Sequence, residues 1–531
     1  MDTRRPPALS AGGMVSSSHP AASLAGARVL ADGGNAVDAT LAMAALTWLT
    51  LPGQCGIGGD AFAVVREPDG RVWTVNGSGY GPDGGTPDFY ADRGFCAIPL
   101  DGALAVAVPG APAALARLHT EGATWSLEQL WEPAARIAEI GLPCSARTAG
   151  DVTTALAAVC ADADLKSVYA PQARPPHVGT RLAQPELART IRELARDPGG
   201  FYTGGFAERA VSALQAGGAP FSGAEWAAGA HVAAEPAVSG RYAGAVVHQT
   251  PLPTPGWMVL QQAALCDGVV GFHGWMTAEA IDWLARSARL SFADRLALCG
   301  ADNDGARYVL QPERLGLQRR DLESRCEQRT PVDVGIGDTT STVAVDSDGR
   351  AVSFIHSLAF TFGAKFTVPG TGVILNNRLG RGAYLIPGHP NEVAPRRKPL
   401  HTLNAWVVTD DAGALLHAGN TPGGDGQVQW NMQLISHLLD HGLDPAEAVS
   451  APRFTVFPGS DADVVGATEE LRIEDTVPDT VRSELASLGQ RVVTQGALDA
   501  GGSAQIISLD ERGVLSGAAD PRQEGVALGV D

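Results

Sequence analysis

The residues with chemistry to offer are few and scattered. GDTTSTVAVDSDGRAVSFIHS, beginning at Gly337, runs from a loop into a strand that opens with Thr339 and Thr340. A threonine hydroxyl is a weak nucleophile that needs an adjacent base, so DTTS taken alone reads as a helix cap or an ST-turn. His437 and His441 stand four apart on one helical face, a spacing that suits a metal, but no carboxylate is spaced to join them. Histidine is in any case favoured near a helix C-terminus. The sequence has no GxSxG elbow, Walker P-loop, HExxH or paired-cysteine metal site. No metal and no cofactor are therefore expected.

The elements that must carry these residues are legible from their periodicity. AASLAGARVLADGGN has helical apolar spacing and ends in Gly33-Gly34-Asn35, read as C-cap residues able to take positive φ, and a second helix is expected from Ala36 to about Thr50. Gly-rich QCGIGGD then turns the chain into AFAVVREPDGRVWTVNG, two β-rich runs around an Asp-Gly turn. The same hairpin pattern returns at 342–357, 405–419 and 504–517, each time with an acidic, Gly-containing turn. Such hairpins favour antiparallel sheet beneath helices over a wound βαβ sheet, hence an α+β or layered αββα fold. Residues 111–330 read as largely helical and are placed over the sheets. TPLPTPG (250–256) and the stretch 382–400 read as Pro/Gly loops, the second long enough for a lid.

Bulk properties exclude several functions. A chain of 531 residues needs no metal or disulfide to complete its core. Its cysteines, Cys55, Cys96, Cys144, Cys160, Cys266, Cys299 and Cys326, stand singly, as suits a reducing compartment. The basic start MDTRRPPALSAGG has no apolar run behind it, and Ala39–Leu51 is too short to cross a bilayer, so no secretory signal and no membrane role are expected. A net charge of −19, with no basic cluster beyond Arg396–Arg397–Lys398, argues against nucleic acid. A cytoplasmic protein acting on small molecules is the reading that remains.

In order along the chain stand SSSHPAASLAGARVLADGGNAVDA, GIGGDAF, AVAVPGAPA, DTTS, FG, PGTGVILNN, PGGDGQ and GAADPRQEG. This ordered set resembles the γ-glutamyltransferase family over nearly the whole chain. The resemblance implies a four-layer αββα sandwich of the N-terminal nucleophile hydrolase type. It also implies autocleavage between Asp338 and Thr339, giving a helix-rich subunit 1–338 and a catalytic subunit 339–531 that together form one domain. The chemistry is coherent, because a free α-amine on Thr339, with a pKa near ~8, supplies the base its hydroxyl lacks. By the same matching, Ser357 positions the nucleophile, and the backbone N–H groups of Gly423 and Gly424 hold the oxyanion.

The pattern departs from the family where glutamate would bind. γ-Glutamyl enzymes hold the α-carboxylate with an arginine and two serines, and the α-amine with Asn, Gln or Glu, and Asp. At the matching positions stand Ser78 for the arginine, His401 and Thr402 for the serines, Ala359 for the asparagine, and Arg378 and Arg381 for the remaining pair. A pocket built for an ammonium thus carries guanidinium groups, which prefer a carboxylate. The expected substrate is a small carboxylate-bearing amide or activated acyl compound rather than glutathione, and Arg378→Ala is expected to spare maturation while weakening such substrates. The alternatives are a C–C bond hydrolase of the 4-alkyl-L-proline antibiotic pathways, a true γ-glutamyl transferase or hydrolase, and a ligand-binding homologue without catalysis. The expected partners are the substrate and the two subunits of one precursor, with a homo-oligomer of the processed heterodimer left open.

Overall fold

All four acidic turns close antiparallel hairpins. Asp60–Arg66 pairs with Val72–Gly77, Asp338–Val345 with Ala351–Ala359, Ala405–Thr409 with Leu415–Asn420, and Gln505–Leu509 with Leu515–Ala519. Gly70, Gly349, Gly413 and Gly513 in these turns have φ of 87, 80, 83 and 78°, which glycine reaches without a Cβ clash. The architecture comes from a computed structural model that describes residues 5–325, 338–459 and 468–531. Gly337 and Cys326, both singled out above, lie outside the described residues.

The hairpins assemble into two seven-stranded sheets. One runs in the order Val526–Val530, Gly13–Ser17, Asp338–Val345, Ala351–Ala359, Asp60–Arg66, Val72–Gly77, Ala234–Pro236. The other runs Ala8–Ser10, Leu515–Ala519, Gln505–Leu509, Leu415–Asn420, Ala405–Thr409, Ala245–Gln249, Val238–Tyr242. Each sheet takes strands from both sides of the Asp338–Thr339 bond. Phe62, Val64, Val343, Val345, Ile355, Val407 and Ile507 fill the space between them. Alternate residues point outward, where a second apolar layer meets helices. Pro20–Ala31, Ala36–Thr50 and Leu127–Ile140 cover the first sheet, and Gly256–Cys266, Ala278–Leu298 and Gly426–Leu439 cover the second. The fold is the four-layer αββα sandwich that the sequence predicts.

Residues 111–330 are largely helical, as expected, but Ala234–Pro236 and Val238–Tyr242 leave the helical layers to form an edge of each sheet, and Ala245–Gln249 pairs between Val238–Tyr242 and Ala405–Thr409. One reading needs correction. Asn35 does not end a helix but starts one: its φ is −96°, and its side chain accepts from Val37 and Asp38 N–H in a capping box. Among the described residues no helix is long and apolar enough to cross a membrane.

Burial holds several histidines neutral. His356 and His437 are pushed down to about 3, and His401 well below its ordinary value. Unfolded, each titrates near ~6.5 and binds protons below that pH that the folded chain refuses, costing about 1.4 kcal/mol per histidine per pH unit. Stability is therefore expected to be full above that pH and to fall on acidification. Thermal melts should drop steeply between pH 7 and 5, and an unchanged melting temperature would contradict the assignment.

Candidate active site

Thr339 stands at the head of a central strand, flanked by Gly13–Ser17 and Ala351–Ala359. Its ladder slips there. Asp338 pairs with Ala359 but Thr340 with His356, so the partner strand carries an extra residue and Thr339 stands opposite the Ser357–Leu358 bulge. Ala359 closes the bulge at φ 86°, a strained value for a residue with a Cβ, and its N–H donates to Ser357 Oγ at 2.8 Å. Ser357, expected to position the nucleophile, is therefore a buried neighbour of Thr339 across the strand pair.

Two glutamines that the sequence reading did not single out hold the threonine. The Gln54 amide donates to Thr339 O at 3.0 Å and to Thr340 Oγ1 at 3.2 Å, while its oxygen accepts from Arg147 Nε at 2.9 Å and Nη2 at 3.1 Å. Gln427 Nε2 lies 3.5 Å from Thr339 Oγ1, at the edge of hydrogen-bond reach. Gln427 is the second residue of helix Gly426–Leu439, and its N–H donates to Gly424 O at 3.1 Å. It thereby ties the hydroxyl to the Gly423–Gly424 turn. Among the described residues neither glycine N–H makes a hydrogen bond.

Gly423 has φ 129°, and a Cβ there would meet Trp430 at 2.0 Å. Gly423→Ala is expected to displace the turn at a cost of about 1–3 kcal/mol, read as a lower melting temperature and a lower kcat. Wild-type behaviour on both counts would show the turn to be unconstrained.

The residues at the departed glutamate positions gather one strand away. Asp60 pairs in register with Ser357 and is fully buried. Its Oδ2 accepts from Arg378 Nε at 2.9 Å and its Oδ1 from Gly79 N–H at 2.9 Å. Ser78 Oγ donates to Gly79 O at 3.1 Å, which sets Ser78 beside this pair. Arg381 Nη1 donates to Ala359 O at 2.9 Å, and its guanidinium lies 4.3 Å above the Phe360 ring. His401 packs edge-on to Phe62 at 4.7 Å, with Nε2 3.9 Å from Asp60 Oδ2. Arg295 fastens this corner to the helix, donating at 3.0 Å both to His401 O and to Asp425 Oδ1.

Burial, then the cations Arg378, Lys398, Arg295 and Arg381, drive His401 well below its usual pKa, so it is neutral. Burial also lowers Lys398, opposed by Glu235 and Asp60. Among the described residues both ring nitrogens of His401 and Thr402 Oγ1 lack hydrogen-bond partners, a rare condition for buried polar atoms. The structure thus brings Ser78, Arg378 and His401 to Asp60, with Arg381 acting on His401 and Thr402 next to it in the chain; Ser357 lies across the strand pair from Thr339, which Gln427 links to the Gly423–Gly424 turn. Asp60 could have been noticed as the acid ending GIGGD, and Gln427 as the last residue of PGGDGQ. Gln54 carried no signal.

Two stacked antiparallel sheets between helical layers, with a threonine heading a central strand, define an N-terminal nucleophile hydrolase. A family model described as gamma-glutamyltranspeptidase matches residues 22–530, and the chain belongs to that family. It is 33% identical to a glutathione hydrolase-like proenzyme of Bacillus subtilis (strain 168), over 97% of this chain and 98% of that one. It is 30% identical to the oxamate amidohydrolase proenzyme of Klebsiella pneumoniae, over 98% and 99%. The crystal structure of a cephalosporin acylase from Bacillus halodurans superposes with a TM-score of 0.90 at 28% identity, covering 99% of this chain and 97% of that one.

Proposed function

We propose that the chain is a proenzyme that cuts itself between Asp338 and Thr339 and then hydrolyses an amide or activated acyl bond in a small carboxylate-bearing substrate. What supports this most is the buried Thr339 hydroxyl, tied through Gln427 to a glycine turn whose N–H groups make no hydrogen bond among the described residues. In the precursor, Thr339 Oγ attacks the Asp338 carbonyl carbon, the peptide bond shifts to an ester, and water releases residues 1–338 from 339–531. The new α-amine then serves the same hydroxyl. It takes the Oγ proton as Oγ bonds to the substrate carbonyl carbon, and the carbonyl electron pair moves to the oxygen facing Gly423 and Gly424. The amine returns the proton to the leaving nitrogen, and water cleaves the acyl-enzyme.

The carboxylate preference rests on the cation-rich corner formed by Arg378, Arg381 and Lys398, beside the orphaned polar atoms of His401 and Thr402. An anionic head accepts from the Thr402 hydroxyl and the His401 ring N–H, which lack partners among the described residues, whereas a glutamate α-ammonium meets guanidinium groups. The amide-cleaving names of the oxamate and cephalosporin relatives fit the same reading. Processed enzyme assayed on paired substrates, a carboxylate-bearing amide against its methyl ester, is expected to prefer the carboxylate by about 100-fold in kcat/KM, the loss of a charge-assisted hydrogen-bonded pair. Equal rates on the two, or faster turnover of glutathione, would sink the pocket assignment.

A further inference from the structure

The geometry points to Gln427 as a further catalytic residue, whose side-chain N–H donates to the nucleophilic oxygen throughout the reaction. This rests on Thr339 being the nucleophile. The orientation of the amide is fixed independently of Thr339. Gln427 Oε1 accepts from the Asn404 backbone N–H at 3.0 Å, and a backbone N–H can only donate, so Nε2 must face Thr339 Oγ1, 3.5 Å away.

Asn404 cannot yield, because it is locked into a chain of buried side chains of set polarity. The Trp406 indole, a donor only, donates to Asn431 Oδ1 at 2.9 Å, Asn431 donates to Asn404 Oδ1 at 2.6 Å, and Asn404 donates to Gln249 Oε1 at 2.6 Å. Trp406, Asn431, Asn404, Gln249 and Gln427 are all fully buried.

A donor on Oγ does two things. It occupies a lone pair and leaves the hydroxyl proton to point away, towards the α-amine that removes it. It also stabilises the negative charge on Oγ in both halves of the cycle: as the O–C bond forms, and again when the acyl-enzyme C–O bond breaks and Oγ recovers its electron pair. Removing such a fixed donor typically costs about 10²–10³ in kcat.

The test is Gln427→Glu beside Gln427→Met. Glutamate still accepts from Asn404 N–H but presents a carboxylate oxygen to Oγ in place of a donor, and acid restores the donor by protonating it. The ratio of variant to wild-type kcat/KM cancels the titration of the amine itself. For Gln427→Glu, this ratio is expected to lie about 100-fold down at pH 8 and to climb at least about tenfold by pH 5. For Gln427→Met it should stay low and flat, and self-cleavage rates on denaturing gels should follow the same pattern. A flat ratio for the glutamate variant, or wild-type rates for the methionine variant, would overturn the inference. So would loss of a cooperative melt in both, which would give Gln427 a packing role only. An active Thr339→Ala chain removes the nucleophile beneath this inference; a flat ratio with Thr339→Ala inactive removes the inference alone.

Discussion

Thr339→Ala is expected to leave the chain as one uncut band on a denaturing gel, with turnover at least about 10⁴-fold below wild type, the scale of losing a nucleophile. Wild type should show fragments 1–338 and 339–531. The effect is expected to be large because, in the proposed mechanism, one hydroxyl serves twice, as attacker of the bond before it and as attacker of substrate. Neither function passes to a neighbour. Thr340 is one residue along the strand, and its hydroxyl is held by Gln54 instead of Gln427. Thr340→Ala is accordingly expected to be cut at the same bond. Thr339→Ser keeps the hydroxyl, loses only a methyl and should also mature. Two bands from Thr339→Ala would remove the threonine from the mechanism.

Much of this arrangement was legible before any coordinates. The hairpins announce themselves because an acidic turn with a glycine between β-rich runs is a local signal, and Gly70, Gly349, Gly413 and Gly513 take the backbone conformation those turns demand. The paired helices before Thr50 were legible for the same reason. What escaped is what depends on distant partners. Val238–Tyr242 and Ala245–Gln249 are short strands, the first half-exposed, and the place of the second beside Ala405–Thr409, with the first beyond it, is set by pairing across the sheet. Asn35 could cap either helix by type alone, and the reciprocal bonds with Val37 and Asp38 N–H and the Asp38 carboxylate decide which.

At the site, the charge reversal at Arg378 and Arg381 was visible, but its partner was not. Asp60 lies 318 residues away and meets Arg378 only because the strand beginning at Asp60 runs beside Ser357. Gln54 and Gln427 are neutral, and although Gln427 closes the PGGDGQ block, only a folded chain shows what their amides face.

That hidden partner changes what Arg378→Ala should do. From sequence the variant is expected to mature normally and lose only carboxylate affinity. In the structure Arg378 and Asp60 form an ion pair with both side chains at 0% exposure. Deleting the guanidinium leaves a carboxylate in the interior with Gly79 N–H as its fixed donor. Burial already pushes that carboxyl up, against the pull of Arg378. Breaking a buried pair from one side costs about 3–5 kcal/mol, so denaturant melts should show a loss of that size, and the uncut fraction should rise because Asp60 pairs with Ser357, which lies across the strand from Thr339. Neutralising the stranded partner tests the cause. Asp60→Asn added to Arg378→Ala is expected to recover a substantial part of the lost stability, while the preference for carboxylate over ester stays lost, since the guanidinium is still missing. If Arg378→Ala melts like wild type, the pair is not holding the fold. If the double variant is no more stable than the single one, a stranded charge is not the reason the single variant fails.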